Sequence, residues 1–339
     1  MKWKRRGVKW SLLAVVLICS QLVVAIPNIS SASESPSQMK WRVSLALAHD
    51  SPSLSAVSCG SAGACIATDS DGDAYVLKGN SWKKTQPTVS KRKLWAISCH
   101  GSNFCVAMLG PAGSSYDDAD SVTFIGSTWE QPIRLLSPGA NSISCPETNW
   151  CEMVDDVGSV WNFNGQRWKL QDDLEGPDNV SSLTSISCSS RSFCVAVDDG
   201  GNAFAYEHGS WNLTSNPYSV SSYLLDSVSC PATNWCMATD FNGWSYRFNG
   251  SGWTRPQRAL PLQRNTKPGF FNSLSCASGR FCVAVGSSGK EVTFNGSTWS
   301  APANVDEAFV NGLGSISCPS TNFCVTTEER GRDAFVGSE

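Results

Sequence analysis

The sequence predicts an all-β chain folded as a seven-bladed β-propeller with four antiparallel strands in each blade. A cysteine pair with five intervening residues occurs seven times, and a serine precedes the first cysteine of each pair. Successive first cysteines lie 40 to 46 residues apart. A repeat of this length, built from short strands, is typical of propeller blades. The pairs are Cys59 and Cys65, Cys99 and Cys105, Cys145 and Cys151, Cys188 and Cys194, Cys230 and Cys236, Cys276 and Cys282, and Cys318 and Cys324.

A leader precedes the repeats. Five positive charges between Lys2 and Lys9 come before an uncharged apolar run from Ser11 to Ile26, and small residues follow at Ser30-Ser31-Ala32. This pattern predicts a secretory signal peptide over residues 1–32, then a Ser-rich spacer over 33–39 and the propeller over 40–339. An uncleaved membrane anchor is the alternative, although the run is shorter than the about 20 residues of a bilayer span.

Charge excludes two classes of partner. Without the leader, Lys plus Arg falls from 26 to 21, against 29 Asp plus Glu, which is a net charge of −8. General affinity for nucleic acid or for anionic membrane surfaces needs the opposite balance. We therefore expect no nucleic acid partner and no membrane contact beyond export or the alternative anchor.

The cysteines indicate the compartment. Outside the leader there are fourteen, all in the repeated pairs, which predicts one disulfide in each blade and a secreted, extracellular or cell-surface location. Zinc is the rival interpretation, but its ligands usually lie two to four residues apart and include histidine. His49, His100 and His208 occupy no repeated position. No cofactor is expected.

Each repeat contains the signals of four strands. Residues alternate before the first cysteine, and a β-branched run follows the second, as in Phe193 to Asp198, which predicts a disulfide-bridged hairpin. Asp or Glu four residues after the second cysteine, with Gly seven after it, predicts a type I turn. Asn-Gly before a tryptophan, as in Asn295 to Trp299, predicts the last hairpin. In repeat two the tryptophan, Trp129, comes seven residues late, which indicates an insertion.

The two ends of the chain are predicted to close the ring together. The last repeat would place its tryptophan just beyond Glu339, whereas Trp41 lies 18 residues before Cys59 and belongs to no complete repeat. The N-terminal segment therefore supplies the outer strand of the last blade, which hides the sheet edges that an open array would expose.

The repeats resemble the extracellular β-propellers of the sialidase-like and BNR-repeat kind, with the outer-strand closure of WD40 propellers. Gly296-Ser297-Thr298-Trp299 matches the tail of the sialidase Asp box, as do three other Gly-to-Trp segments. Phe294 fills the Asp position of that motif, and phenylalanine fills it in the other three as well. The resemblance implies a propeller and raises a sialidase-like glycoside hydrolase or lyase as an alternative function.

Candidate ligand-binding residues lie in the turns and in the connections between blades. The insertion of repeat two combines an aromatic with carboxylates, which suit a sugar or a cationic group, or it is a solvated loop. The longest connection carries four cations and no acid, and a second basic connection holds Lys83, Lys84, Lys91, Arg92 and Lys93. Either connection suits an anionic glycan or an acidic protein, or serves solubility. The candidates are Tyr116, Asp117, Asp118 and Asp120 in the insertion, and Arg255, Arg258, Arg264 and Lys267 in the connection.

Two other repeated features have structural explanations. Asp69, Asp71 and Asp73 resemble part of a calcium loop, but a tight turn also requires Asp and Gly there. Aromatic residues precede the second cysteine in six repeats, and both these residues and the periodic tryptophans are predicted to pack between blades. The residues before the second cysteine are Phe104, Trp150, Phe193, Trp235, Phe281 and Phe323.

No nucleophile, base and orienting group stand together in the sequence, so no catalytic residue is assigned. The sequence predicts a secreted, monomeric binding or scaffold module whose ligand is a glycan or a protein. The hydrolase and a purely structural surface protein are the alternatives. The ligand face is predicted to be the one formed by the Asp-x-x-Gly turns and the blade-to-blade connections, since insertions and charge clusters fall there.

Overall fold

Runs of β-branched and aromatic residues bounded by Gly, Asn and Asp form the strands of the part of the chain that the structure describes. The computed structural model describes residues 37–86, 92–110, 119–135, 137, 139–174, 181–214, 224–261, 270–305 and 312–338. Within these ranges there are 29 strands in seven antiparallel sheets and no helices. Accordingly, no helix in the described ranges is long and apolar enough to cross a membrane.

Each sheet is one blade, and in blades 1, 3, 4, 5 and 6 the four strands pair in chain order, whereas in blade 2 both β9 and β10 pair with β8 and in blade 7 β1 pairs with β29. Blade 1 consists of β2 (Leu54–Ser61), β3 (Ala64–Asp69), β4 (Ala74–Lys78) and β5 (Ser81–Thr85). Blade 2 consists of β6 (Leu94–His100), β7 (Phe104–Leu109), β8 (Ala119–Ile125), β9 (Thr128–Trp129) and β10 (Ile133–Leu135). Blade 3 consists of β11 (Ala140–Glu147), β12 (Trp150–Asp155), β13 (Ser159–Phe163) and β14 (Trp168–Asp173).

The remaining blades repeat this pattern. Blade 4 consists of β15 (Leu183–Ser190), β16 (Phe193–Asp198), β17 (Ala203–Glu207) and β18 (Ser210–Leu213). Blade 5 consists of β19 (Leu225–Ala232), β20 (Trp235–Asp240), β21 (Trp244–Phe248) and β22 (Gln257–Arg258). Blade 6 consists of β23 (Phe271–Ser278), β24 (Phe281–Gly286), β25 (Lys290–Phe294) and β26 (Ala303–Asn304). Blade 7 consists of β27 (Leu313–Ser320), β28 (Phe323–Glu328), β29 (Asp333–Ser338) and β1 (Lys40–Ala46).

The predicted closure is confirmed. Strand β1 pairs antiparallel with β29, and Trp41 lies opposite Gly337. The indole covers this glycine so closely that a Cβ at position 337 would lie 2.8 Å from the ring. Buried Glu291 of blade 6 anchors the segment before the strand, because its carboxylate accepts a hydrogen bond from the Met39 amide at 3.2 Å. The N-terminal strand is thus fixed to two blades.

The first strand of every blade lines the centre of the ring, since it contacts the first strands of both neighbours. Along these inner strands the serine before each first cysteine joins one blade to the next. Its hydroxyl accepts a hydrogen bond from the amide of the first cysteine in the following blade, at 2.9 to 3.0 Å, in all seven blades. These contacts form a closed ring. The acceptors are Ser58, Ser98, Ser144, Ser187, Ser229, Ser275 and Ser317.

The predicted disulfides are confirmed. Each blade holds its own cysteine pair, with Cα atoms 3.9 to 4.1 Å apart and the pair bridging the first two strands of its sheet. Seven disulfides point to an oxidising environment.

The hydrophobic core is divided among the seven spaces between neighbouring blades. The repeated tryptophans belong to these spaces, and five of their indole N–H groups donate to a hydroxyl of the preceding blade at 2.8 to 3.1 Å. An amphipathic indole suits this position, because its body is buried while its N–H finds a partner. The predicted role of the periodic tryptophans in blade-to-blade packing is confirmed.

Candidate functional site at the mouth of the central channel

The four-stranded blades give the ring two distinct faces. The cysteine hairpins and the hairpins before the repeated tryptophans form one, the hairpin face. The turns between second and third strands and the blade-to-blade connections form the other, the turn face. Each inner strand begins at the turn face, so the residue four positions before the first cysteine lies near the mouth of the channel. These seven residues, the mouth ring, are Ser55, Trp95, Asn141, Thr184, Asp226, Asn272 and Gly314.

The residue type in the mouth ring varies between blades. The seven serines that accept the first-cysteine amides, which we call the serine ring, do not vary. Three members join neighbouring blades: the side chains of Asn141, Thr184 and Asn272 each donate to the first inner-strand carbonyl of the next blade, at 2.7 to 3.0 Å. The other four are Ser, Trp, Asp and Gly, and none repeats this contact. Such variation at one position of a regular repeat indicates that the mouth is not shaped by packing alone.

A depression of about 320 Å³ opens at the mouth. Residues of blades 6, 7, 1 and 2 line it, so it extends over the channel rather than along a single blade. It exists because two adjacent members of the mouth ring, Gly314 and Ser55, are small. Asn272, Lys93 and Arg330 stand around them.

The carboxylates at this depression already have partners. Glu329 accepts a hydrogen bond from the Asn272 amide at 3.1 Å, and Glu328 accepts the backbone amides of Arg332 at 2.6 Å and Asp333 at 3.0 Å. Lys93 and Arg330 form no ion pair within the described residues. The depression therefore carries both signs of charge, and its two cations, without an ion pair among the described residues, can bind a carboxylate or another anionic group of a ligand.

Arg330 has a left-handed backbone, with φ of 57°. A side chain other than glycine rarely adopts this conformation, and such strain is concentrated at binding and catalytic sites. The turn of blade 7 holds the arginine in this geometry because Glu328 binds the two backbone amides that follow Gly331. The backbone that carries the cation is thereby fixed at the rim of the depression.

Trp95 gives the mouth an apolar surface. Its side chain is 38% exposed, and the Lys93 ammonium lies 5.6 Å from the centre of its ring. On another part of the turn face, Phe241 and Phe270 stack with ring centres 4.9 Å apart. The turn face thus combines cations with exposed aromatic rings, which is a composition common in protein-binding surfaces.

Asp226 is the acidic member of the mouth ring. One of its carboxyl oxygens is buried without a hydrogen-bond partner, and burial raises the pKa of Asp226 from the ordinary 3.8 to about 7. In the repeat, its position corresponds to the side chains that donate to the next blade. A protonated carboxyl can make the same donation, whereas a carboxylate cannot.

The Asp-x-x-Gly carboxylates serve their turns. Asp69 accepts the backbone amides of Asp71 at 3.0 Å and Asp73 at 2.8 Å, and the hydroxyl of Tyr75 donates to it at 3.2 Å. Burial raises the pKa of Asp69. Asp73 pairs with Lys84 at 2.5 Å. Within the described ranges, no three acidic, histidine or cysteine side chains come together as metal ligands.

The predicted ligand-binding residues occupy other places. Arg255 lines a small groove of about 150 Å³ between the outer parts of blades 5 and 6. Arg258 lies over the Trp244 ring, 4.8 Å from its centre, and its Nε donates to the carbonyl of Leu260 at 2.7 Å. Neither arginine lines the mouth depression.

Asp120, the only described member of the insertion cluster, forms an ion pair with Arg92. Tyr116, Asp117, Asp118, Arg264 and Lys267 lie outside the described residues.

Sequence reasoning missed Trp95 and Arg330 and took Lys93 only as part of a basic connection. One signal could have indicated Trp95: the residue four before each first cysteine differs between blades, apart from one repeated Asn, whereas the serine directly before the cysteine is constant. Arg330 and Lys93 do not occupy this position, and no repeated pattern singles them out.

No protein-family model matches the chain, and no curated protein sequence matches it either. Solved structures do. YCF48 bound to D1 peptide has a TM-score of 0.68 at 14% identity, covering 90% of this chain and 98% of that chain. U3-55K has a TM-score of 0.71 at 10% identity, covering 88% and 98%. The RRP9 WD40 repeats have a TM-score of 0.70 at 12% identity, covering 90% and 99%.

At these identities the likeness supports the fold alone. One of the three structures is described as WD40 repeats, and none of the three is described as a sialidase. The propeller part of the predicted resemblance is therefore supported, together with its WD40-like closure. The sialidase-like part has no support among these structures.

Proposed function

We propose that this chain is a binding propeller that takes a peptide segment of a partner protein at the mouth of its channel. The observation that carries the proposal is the contrast between two rings on the same inner strands. The serine ring is invariant and joins the blades, whereas the mouth ring changes its chemistry from blade to blade around an open depression. Variation set on a rigid scaffold is typical of recognition.

The chemistry of the depression favours a peptide with a carboxylate. Lys93 and Arg330 supply the cations, while Trp95 offers an apolar face for a neighbouring side chain. An extended peptide is narrow enough to cross a channel mouth, and alternate side chains can then point into it. One of the similar structures is YCF48 with a D1 peptide bound, so the fold accommodates peptide ligands.

The outer parts of the turn face are proposed as secondary contacts. Arg255, Arg258, Arg264 and Lys267 would attract the anionic part of a ligand, with an affinity that weakens as salt screens them. Tyr116, Asp117, Asp118 and Asp120 would contact it on the opposite side of the mouth. A glycan ligand remains the second candidate for these contacts. We propose secretion as the route by which the disulfides form.

A binding screen tests the proposal. The protein, its Lys93→Glu/Arg330→Glu variant and its Trp95→Ala variant are applied to a peptide array and to a glycan array. A matched control, Arg167→Glu/Arg280→Glu, changes two cations on the hairpin face. We expect binding to acidic peptides that falls by at least about tenfold in both mouth variants and is unchanged in the control, since each lost contact of this kind costs about 1–3 kcal/mol.

Two outcomes would overturn the proposal. Binding to glycans without any peptide signal would assign the mouth to carbohydrate. An array on which every peptide signal survives both mouth variants, or on which the control variant weakens the signals equally, would remove the mouth depression from the function. Neutralising Arg255, Arg258, Arg264 and Lys267 together tests the secondary contacts separately.

A further inference from the structure

The space between blades 1 and 2 lacks a side chain that the other spaces have. In six blades the residue before the second cysteine is aromatic, and each of these rings belongs to the core between its own blade and the next. In blade 1 that residue is Ala64. Its backbone position is the same, because Ala64 pairs with Ser61 as Phe193 pairs with Ser190 and Phe281 with Ser278.

Two open depressions occupy the place of the missing ring. One, of about 270 Å³, includes Ala64 and Ile66, and the other, of about 320 Å³, extends to Lys83 and Ser127. They meet at Val76, Lys78 and Phe124, which line both. We call the combined feature the blade 1–2 groove. Each depression exceeds the cavity of about 150 Å³ that is known to accept benzene in a protein interior.

The neighbouring spaces show what fits there. Phe124 lies opposite the second cysteine of its blade, as Phe248 and Phe294 do in blades 5 and 6. In those spaces the aromatic residue of the preceding blade packs against this phenylalanine, with ring centres 6.2 Å apart for Phe193 and Phe248. The corresponding distance from Trp235 to Phe294 is 6.5 Å. Phe124 has no such partner from blade 1, since Ala64 carries no ring.

The charge of the groove has one sign. Lys78 and Lys83 are exposed and line it, and no acidic side chain does. Neither lysine forms an ion pair within the described part of the chain. The other lining groups are hydroxyls, small residues and apolar side chains. An occupant with an aromatic ring and flanking negative charges would complement both the space and the charge.

We propose that the blade 1–2 groove is a second docking site, distinct from the mouth depression, for an acidic peptide segment that inserts one aromatic side chain. The inserted ring takes the place that an aromatic residue of the chain itself takes in the six other spaces, and packs against Phe124. Lys78 and Lys83 contact the flanking carboxylates. None of these residues lines the mouth depression.

The test uses a defined probe. A fluorescein-labelled pentapeptide with one phenylalanine between two pairs of glutamates is titrated with the full-length Lys93→Glu/Arg330→Glu protein, which lacks the mouth cations but keeps the groove, and its fluorescence anisotropy is measured. Two comparison peptides carry alanine at the centre, or lysine in place of the glutamates. A photoreactive benzophenone in place of the phenyl ring then identifies the bound site by cross-linking and mass spectrometry. We expect saturable binding of the acidic phenylalanine peptide alone, cross-linked to segments that contain Ala64, Lys78 or Phe124.

The decisive variant restores the missing ring. Ala64→Phe should reduce binding by at least about tenfold, since its own ring then fills the space that the peptide ring would enter, and it should leave the thermal unfolding temperature equal or higher. Lys78→Glu/Lys83→Glu should weaken binding about fivefold and reduce its salt dependence. The matched control Lys40→Glu/Lys169→Glu changes two exposed lysines elsewhere and should bind as the unmodified protein does.

Contrary outcomes are equally defined. Equal binding of the alanine peptide, cross-links outside the groove, or unchanged binding by a folded Ala64→Phe protein would overturn the proposal. A concentration-dependent dimer that Ala64→Phe abolishes would assign the groove to a second copy of the chain instead. Failure of the peptide screen at the mouth leaves this test unaffected, because the two sites share no residue.

Discussion

The serine before each first cysteine explains at the residue scale why the motif is constant. Its hydroxyl accepts a backbone amide of the next blade, so the same residue is required seven times for the ring to continue. A hydroxyl suits this role because it is small and accepts without carrying a charge into a half-buried position. Three residues earlier in each inner strand, at the mouth ring, packing no longer requires one residue type, and the side chains differ from blade to blade.

Three buried carboxyls make the stability of the fold depend on pH. Burial raises the pKa of Glu152 to about 8 and the pKa of Asp226 and Glu291 to about 7, against ordinary values of 4.5, 3.8 and 4.5. Between pH 5 and pH 8 the folded state therefore binds more protons than the unfolded state. By linkage, the free energy of unfolding should fall as pH rises through this range, by about 1.4 kcal/mol per pH unit for each carboxyl that is protonated only in the folded state.

Urea unfolding at pH 5, 6, 7 and 8 measures this slope. Glu152→Gln and Glu291→Gln remove a titrating group each while keeping its shape, and each should flatten the slope. Glu147→Gln, at an exposed carboxylate, serves as the control and should leave it unchanged. A stability that rises between pH 5 and pH 8 would show that these carboxyls are ionised in the folded protein.

At the scale of the element, the first hairpin of every blade is the unit that the sequence repeats. Its two strands carry the disulfide, the serine and most of the residues that pack into the neighbouring spaces. The loop that each disulfide closes is short, so each bond should contribute about 2 kcal/mol through the entropy of the unfolded chain.

Removing one bond tests this value. Cys188→Ala/Cys194→Ala should lower the free energy of unfolding by about 2 kcal/mol, and the equivalent replacement of Cys230 and Cys236 should cost about the same. Chemical denaturation of the two variants gives the comparison. Peptide mapping of the unreduced protein is the independent check, since any bond between blades would contradict the local pairing.

At the scale of the whole molecule, ring closure depends on one short strand. Deleting Met39 to Val43 should remove the outer strand of blade 7 and expose the edge of β29. The deletion also removes buried Met39, so we expect a loss of at least about 3 kcal/mol. Deleting Ser33 to Ser37 is the length-matched control and should cost far less. Equal melting temperatures for the two truncations would mean that Trp41 does not close the ring.

The blades could be predicted because the same cysteine spacing occurs seven times, so every repeat is expected to form the same local structure. The closure could be predicted because Trp41 lies at the repeated tryptophan-to-cysteine distance from Cys59 but belongs to no complete repeat. The mouth could not be predicted in this way, since Lys93 of blade 2 and Asn272 of blade 6 become neighbours only after the ring has closed. The alanine at position 64 is visible in the sequence, but its effect depends on the Phe124 ring of another blade, which no spacing reveals.

The pairing of β1 with β29 also constrains the order in which the protein folds. Every disulfide and every hairpin joins residues close in sequence, so blades 1 to 6 can form one after another as the chain emerges. Lys40 and Ser338 pair across about 300 residues, and this contact must wait until strand β29 has been synthesised. Of the strands in the propeller, β1 is therefore made first and paired last, and until then its unpaired edge is where a chaperone or a protease would act.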